Sequence, residues 1–256
     1  MLRPLYPLGP QPKLEVIGGW YMGAPAAGRA AFSPLSLSPF RGYDASDLTK
    51  LFQDTAGETL VMADGQEVQL CQDLSGNDRH ITKIAAIATG LIYKTSGGLS
   101  WLERQTDSLS QGLSRGGDTL TTLESVSAWR LLSAGSGNQS VIFNDNNIRI
   151  QTNGTNISLG GLALATPSVG EDFIVSYFWE SSDDDAGIAL DQDDYTTGTQ
   201  ADVSGAQDLF LGAWFNDASS GPECRCYAYF DFNRRLTASE RSNLVTYLAA
   251  KQGRVL

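Results

Sequence analysis

The sequence predicts an all-β fold, a sandwich or jelly roll, with an extended N-terminal arm and one short C-terminal helix. Three observations predict it. Short apolar runs recur from residue 101 onward, separated by clusters of Gly, Asn, Asp and Ser. Seven of the nine prolines fall within the first 39 residues. Near the C-terminus, residues 237–240 carry the pattern of a helix N-terminus.

Residues 1–40 are predicted to be a docking arm, followed by a β domain at 41–256. The prolines of the arm exclude a helix or a central strand, because proline lacks an amide donor and fixes φ. Between them lie too many apolar and aromatic residues for a solvated tail. We therefore expect the arm to lie against a surface, either of its own domain or of a neighbouring subunit. The residues expected to make this contact are Leu5, Tyr6, Leu8, Trp20 and Tyr21.

Eight segments of the domain are predicted to be strands. In several of them apolar side chains alternate, as at Ile148 and Ile150 or at Tyr227 and Tyr229, which is typical of a strand with one buried face. The sequence shows no alternation of strands with helices, so we expect antiparallel sheets rather than a parallel one. The segments are 120–132, 140–143, 147–151, 156–159, 172–179, 187–190, 208–214 and 225–232.

One helix is predicted near the C-terminus. Thr237 and Glu240 have the spacing of a capping box, in which each side chain accepts a hydrogen bond from the backbone amide of the other. Leu244 and Leu248 recur at helical spacing, and Gly253 suits the end of the helix. The sequence therefore predicts a short amphipathic helix packed on the β domain.

Charge and cysteine content exclude several classes of function. The chain has 18 basic and 29 acidic residues, a net charge of −11, and no basic stripe that would neutralise phosphates, which excludes a nucleic-acid partner. No apolar run approaches the ~20 residues of a membrane helix, and prolines interrupt any secretory signal in the first 19 residues. The three cysteines do not suggest a disulfide framework, so we expect a reducing cytoplasm.

Two motifs carry a resemblance to a known family. The first reads Tyr-Asp-Ala-Ser-Asp-Leu at 43–48 and continues as Leu-Phe-Gln-Asp at 51–54. The second is the turn Asp-Leu-Ser-Gly-Asn at 73–77 with His80. Together with segment 235–251, they resemble the concanavalin A-like, laminin-G-like jelly-roll proteins of tailed bacteriophages and prophages. Asp78 and Arg79 stand where that family has more neutral residues.

The resemblance implies a non-enzymatic virion structural protein, such as a tail fibre, tail-tip, spike or capsid-attached module, assembled in the host cytoplasm. Its implied partners are other virion proteins, further copies of the chain and host surface glycans, without membrane insertion. The alternative that stays open is a carbohydrate-active protein that binds or cleaves polysaccharide. Residues 43–83 themselves are interpreted as turn determinants, because short carboxylates beside Ser and Gly cap backbone amides.

Catalytic patterns in the sequence are weak, and we expect no enzymatic activity. Residues 112–116 fit the G-x-S-x-G pattern of a nucleophile elbow, which needs a strand before it, a helix after it and a histidine base. A β-type run follows instead, and His80 is the chain's single histidine. The paired carboxylates that cleave glycosidic bonds on one strand in related glucanases are also missing from the sequence.

Candidate ligand sites lie at loop ends. A sugar needs an aromatic ring against its apolar face and amides or carboxylates for its hydroxyls. The glycan candidates are Trp179, Tyr195, Trp214, Asn216 and Asp217. Clustered carboxylates suit Ca²⁺, which is the one cofactor considered. The calcium candidates are Asp183, Asp185, Asp191 and Asp193. The cysteines are predicted to be buried as small hydrophobes rather than to bind zinc with His80.

Overall fold

The computed structural model describes residues 32–83, 89–105, 111–118, 122–133, 139–144, 148–152, 156–159, 162–165, 167–180, 182, 184–199, 207–212 and 222–256. All of them belong to one unit, Phe32–Leu256. The arm residues Leu5, Tyr6, Leu8, Trp20 and Tyr21 lie outside the described residues.

The described residues form strands, two short 3-10 helices (Pro34–Leu37 and Leu48–Lys50) and one α-helix. In chain order the elements are β1 Arg41–Asp44, β2 Leu51–Phe52, β3 Glu67–Val68, β4 Leu70–Cys71, β5 Ile81–Lys83, β6 Leu91–Ser96, β7 Leu99–Arg104, β8 Leu113–Asp118, β9 Thr122–Leu131, β10 Gln139–Asn144, β11 Ile148–Thr152, β12 Asn156–Leu159, β13 Leu162–Ala165, β14 Asp172–Glu180, β15 Asp185–Leu190, β16 Thr196–Thr199, β17 Gln207–Leu211, β18 Cys224–Phe232 and α1 Ala238–Lys251.

The strands build two nine-stranded sheets whose strand pairs are antiparallel. The first sheet has the order β16-β15-β14-β9-β18-β7-β6-β3, and β1 also pairs with β18. The second sheet has the order β13-β12-β11-β10-β17-β8-β5-β4-β2. The predicted all-β sandwich with a single C-terminal helix is thereby confirmed within the described part of the chain.

The core has two apolar layers. The first lies between the sheets and includes Trp129 and Val175 from the first sheet and Leu113 and Leu211 from the second. The second lies on the outer face of the first sheet, where Leu244 of α1 joins side chains of β9, β14 and β18. Burying large apolar side chains stabilises each layer by ~1.5–3 kcal/mol per side chain.

Helix α1 begins and ends as its sequence predicts. The Thr237 hydroxyl accepts from the Glu240 amide at 3.2 Å, and a Glu240 carboxylate oxygen accepts from the Thr237 amide at 2.8 Å. Gly253 adopts a φ of 73°, in the left-handed region that ends many helices. Within the described residues, no helix has the length and apolarity needed to cross a membrane.

Residues 32–40, the last part of the predicted arm, pack against the sandwich. Phe32 lies edge-on to Tyr247 of α1, with ring centroids 6.2 Å apart, and Pro34 is buried. Residues 32–40 lead directly into β1, in which Gly42 allows close packing against Phe230. A Cβ at Gly42 would lie 2.6 Å from the Phe230 ring, so a larger residue would push β1 away from β18.

Candidate functional site

A cleft with a volume of about 540 Å³ opens where residues 35–40 meet the turn at 73–79 and the residue that follows β18. We call it the Phe40 cleft. Of the described residues that line it, Arg79 alone carries a charge. The lining residues are Leu35, Ser38, Pro39, Phe40, Ser75, Asn77, Arg79 and Asn233.

Asp73 organises the turn that forms one wall of the cleft. Its Oδ1 accepts from the Gly42 and Ser75 amides, both at 2.9 Å. Its Oδ2 accepts from the Arg79 amide at 3.1 Å, and its own amide donates to His80 Nδ1 at 3.1 Å. These bonds confirm the interpretation of this motif as a turn determinant. The same turn also places side chains in the cleft, which its sequence pattern did not indicate.

Asn77 joins the two walls of the cleft. Its side-chain amide donates to the Phe40 carbonyl at 3.0 Å and to the Pro39 carbonyl at 3.3 Å. The preceding Gly76 has a φ of 84° and the following Asp78 a φ of 54°, so the turn reverses sharply around Asn77. The cleft is therefore held in shape by protein hydrogen bonds.

Arg79 lies across the Phe40 ring, with its guanidinium carbon 3.6 Å from the ring centroid. This is a cation–π contact. The same guanidinium donates through Nη1 to Asp118 of β8. The Arg79 side chain keeps 25% of its surface exposed, so it borders both the cleft and the interior.

A buried ionic cluster lies behind Arg79 and joins the two sheets. Arg41 Nη1 is 2.8 Å from Asp118 Oδ2, and Arg41 Nε is 2.5 Å from Asp231 Oδ2. Arg115 Nε is 3.2 Å from Asp118 Oδ2. Asp118 belongs to the second sheet, whereas Arg41 and Asp231 belong to the first. Within the described part of the chain, three guanidinium groups thus share two buried carboxylates.

Burial and neighbouring charges shift the pKa values of two arginines of this cluster in opposite directions. Burial disfavours the charged form of Arg41, but Asp231, Tyr229 and Tyr43 together outweigh it and raise the Arg41 pKa above its ordinary value. Burial lowers the pKa of Arg79, the positive charges of Arg115 and Arg41 lower it further, and Asp73 acts in the opposite direction. Arg79 therefore lies among both positive and negative charges.

The sequence-predicted glycan residues do not assemble in this cleft. Trp179 is wrongly predicted as a sugar platform, because it is 0% exposed and packs between the sheets. The Tyr195 hydroxyl donates to Glu124 at 2.8 Å, and its ring packs edge-on against Phe178 at 4.9 Å. Trp214, Asn216 and Asp217 lie outside the described residues.

Of the described calcium candidates, one pairs with a cation through its carboxylate and another accepts through its backbone carbonyl. Asp191 pairs with Arg254 at 2.8 Å, and the Asp193 carbonyl accepts from Arg241 at 2.8 Å. Asp185 opens β15, and Asp183 lies outside the described residues. The described part of the chain shows no group of three or more His, Cys, Asp or Glu placed to hold a metal ion. Calcium binding here stays a prediction.

The three thiols are buried, as predicted. Cys71, Cys224 and Cys226 are 1%, 2% and 4% exposed, and none forms a disulfide. Burial raises the pKa of Cys224 to about 12, and it also raises the pKa of Cys71 and Cys226. Thiols with such pKa values are protonated and unreactive near neutral pH.

The G-x-S-x-G match does not form a nucleophile elbow. Ser114 lies within β8 and pairs with Thr82 on one side and Phe210 on the other. A nucleophile elbow is instead a sharp strand-to-helix turn that exposes its serine. The match is therefore a strand sequence.

Sequence reasoning missed the residues that form the cleft. Phe40, Arg79 and Asn233 are far apart in the chain, and each is unremarkable by itself. One signal was available at Arg79, since it departs from the more neutral residues of the resembling family. Only the pairing of β1 with β18 brings Phe40 close to Asn233.

The fold and the cleft define an antiparallel β-sandwich with a mostly polar cleft at one end, and its solved neighbours include carbohydrate-active proteins. No family model and no curated protein matches the chain. A GH54 α-L-arabinofuranosidase has a TM-score of 0.57 at 11% identity, with 86% of this chain and 65% of that chain covered.

Two further solved structures are similar to the chain. A Trypanosoma rangeli sialidase has a TM-score of 0.50 at 11% identity, with 89% of this chain and 34% of that chain covered. The binding domain of Paraclostridial mosquitocidal protein 1 has a TM-score of 0.51 at 11% identity, with 73% of this chain and 52% of that chain covered. The chain thus spans only a part of each, and the likeness shows the shared fold.

The expectation that the chain has no enzymatic activity is contradicted by these neighbours. Two of them, the sialidase and the arabinofuranosidase, are enzymes by name. The absence of the paired-carboxylate pattern argued against one group of glucanases only. A β-sandwich of this kind is also found in enzymes that act on sugars, so that pattern did not separate the chain from them.

Proposed function

We propose that this chain is a carbohydrate-recognising β-sandwich module whose ligand lies in the Phe40 cleft. The observation that carries the proposal is the cleft itself, a space of about 540 Å³ with amide, hydroxyl and guanidinium groups along its wall. Its volume falls in the range of small-molecule sites. The fold shared with a sialidase and an arabinofuranosidase supports the proposal.

Polar groups of the cleft are available for sugar hydroxyls. Asn233 and Ser38 are exposed, and no hydrogen bond to either side chain is found among the described residues. The Asn233 amide offers both a donor and an acceptor, which suits a hydroxyl that does both. Because Asp73 and Asn77 already hold the turn, little ordering of the protein is needed on binding.

Glycan-array binding by the full chain, followed by calorimetry on retained sugars, tests the proposal. Asn233→Ala should lower the affinity about twofold to thirteenfold, as expected for one lost hydrogen bond of ~0.5–1.5 kcal/mol. Asn243→Ala is the matched control, since Asn243 is an exposed asparagine on α1 that does not line the cleft. Failure to retain any glycan, or equal affinity for both variants, would contradict the proposal.

A virion structural role is a second candidate function, with other virion proteins, further copies of the chain and host glycans as partners. The motifs at 43–80 favour it, because they resemble those of the phage jelly-roll family. We propose it on that resemblance alone. Deleting residues 1–31, which precede the unit Phe32–Leu256, should leave a folded domain that no longer enters particles. Normal incorporation of the truncated chain would count against an anchoring arm.

A further inference from the structure

The Phe40 cleft has a basic lining residue in a protein whose net charge is −11. That residue is Arg79, and no carboxylate lines the cleft among the described residues. Behind the lining, Asp118 contacts Arg41, Arg79 and Arg115, and Asp231 contacts Arg41. A third buried carboxylate, Asp73, accepts from the Arg79 backbone amide. Arg79 is therefore the charged group that an anion in the cleft would meet.

The guanidinium of Arg79 has donors left over. Its Nη1 binds Asp118, and its Nε is buried without a hydrogen-bond partner in the described part of the chain. No hydrogen bond from its Nη2 is found among the described residues. Arg115 is more fully engaged, since its Nε contacts Asp118 and its Nη1 donates to the Asp78 carbonyl at 3.2 Å. Because the Nε is buried, Nη2 is the Arg79 group that remains for a ligand in the cleft.

Arg79 is also held in place before any ligand arrives. Its backbone amide donates to Asp73, and its guanidinium carbon lies 3.6 Å from the Phe40 ring centroid. A guanidinium fixed in this way presents its planar donor edge without further loss of side-chain freedom.

We propose that the cleft takes an acidic saccharide and that Arg79 binds the carboxylate or sulfate of that sugar. The inference rests on the proposed function and names its ligand class. An acidic group would form charge-assisted hydrogen bonds with Arg79. Asn233 and Ser38 would then take the neutral hydroxyls.

Matched pairs of sugars test this inference on the full chain. Calorimetry compares 3′-sialyllactose with lactose, trigalacturonic acid with its methyl ester, and 6-sulfo-N-acetylglucosamine with its unsulfated form. At least one acidic member should bind tenfold or more tightly than its neutral partner at low salt. Raising the salt concentration should weaken the binding of the acidic sugar and leave the affinity for the neutral sugar unchanged.

The chain offers a closely matched control for Arg79. Arg225 is 24% exposed, lies 4.2 Å from the Trp101 ring centroid and pairs with Glu103, but it does not line the cleft. Arg79→Gln should reduce the ratio of acidic-sugar to neutral-sugar affinity at least tenfold. Arg225→Gln should leave that ratio unchanged. Arg79→Lys keeps the charge but not the planar edge, so it should retain a weakened preference. Thermal melting shows whether each variant is folded.

The outcomes separate the inference from the proposed function. If neutral sugars bind as tightly as acidic ones and Asn233→Ala lowers that affinity, the preference for acidic sugars would be overturned and the glycan site would be kept. An acid preference that survives Arg79→Gln would overturn the role of Arg79. Binding of no sugar at all would overturn both. If Arg79→Gln does not fold, the wild-type pairs and Arg79→Lys still decide the question.

Discussion

Two buried carboxylates, Asp118 and Glu124, are nearly equal in burial but differ in their surroundings. Asp118 lies between the sheets and is 2% exposed, and Glu124 lies under the chain that enters α1 and is 0% exposed. Glu124 accepts from the Tyr195 hydroxyl at 2.8 Å, the Leu236 amide at 2.7 Å and Arg235 Nε at 3.2 Å. It thus has one cation, one hydroxyl and one amide.

The difference separates a carboxylate within the fold from one next to the proposed site. The Glu124 cluster pairs one negative with one positive charge, and none of its residues lines the Phe40 cleft. The Asp118 cluster extends through Arg79 to that cleft. Burial alone therefore does not distinguish the two carboxylates, whereas contact with a group that borders open space does.

The largest expected effect is on the Asp118 side of the comparison. Asp231→Ala should lower the free energy of unfolding by about 3–5 kcal/mol, because it leaves Arg41 buried with one partner fewer. Urea unfolding measures it. Asp64→Ala is the control, since Asp64 is 51% exposed and lies 3.7 Å from Lys94. This variant should lower the free energy of unfolding by ~0–1 kcal/mol. Similar losses in both variants would mean that the buried cluster does not stabilise the fold.

A smaller effect is expected at Glu124. Glu124→Gln should lower the free energy of unfolding by about 1–3 kcal/mol, because a glutamine cannot accept from all three donors. Burial raises the Glu124 pKa above its ordinary value of 4.5, so the folded state binds a proton more readily than the unfolded state. The stabilisation is therefore complete below pH 4.5 and declines as the pH rises. The free energy of unfolding, measured at pH 4 and pH 7, should be lower for Glu124→Gln than for the wild type, and the difference should be smaller at pH 7.

The smallest effect is expected at Glu240, and its pH dependence should have the opposite sign. Hydrogen bonds from Arg234 and Thr237 lower the Glu240 pKa from 4.5 to about 2. Its contribution is therefore complete above pH 4.5 and lost as the pH falls to about 2. Glu240→Gln should cost about 0.5 kcal/mol at pH 7, since the pair with Arg234 is partly exposed. A melting-temperature difference that grows toward pH 2 would contradict this assignment.

The sequence predicted eight strands from local alternation and missed others, which include the β6–β7 hairpin and strands with distant partners such as β1. All eight predicted strand segments appear, as at Asp172–Glu180, because alternation of side chains is a local signal. Strand β1 has only four residues, and it is held by β18 and by the Arg41–Asp231 pair, 190 residues apart in the chain. Such contacts leave no local periodicity.

The candidate site was not predictable for a related reason. Its wall comes from segments around Phe40, Asn77 and Asn233, which only the completed sheet brings together. Trp179 was predicted at the surface because it stands at a strand end, but its position in the alternation directs it between the sheets. Strand ends reach the surface, yet the face of the strand decides where each side chain points.

The burial of every thiol gives this protein a practical advantage. Its three cysteines are 1–4% exposed, and burial raises their pKa values. A maleimide dye should therefore not react with them in the folded state. An Asn233→Cys substitution would then create one reactive thiol at the rim of the cleft. A fluorophore attached there would report ligand arrival in real time, with the native cysteines left in place.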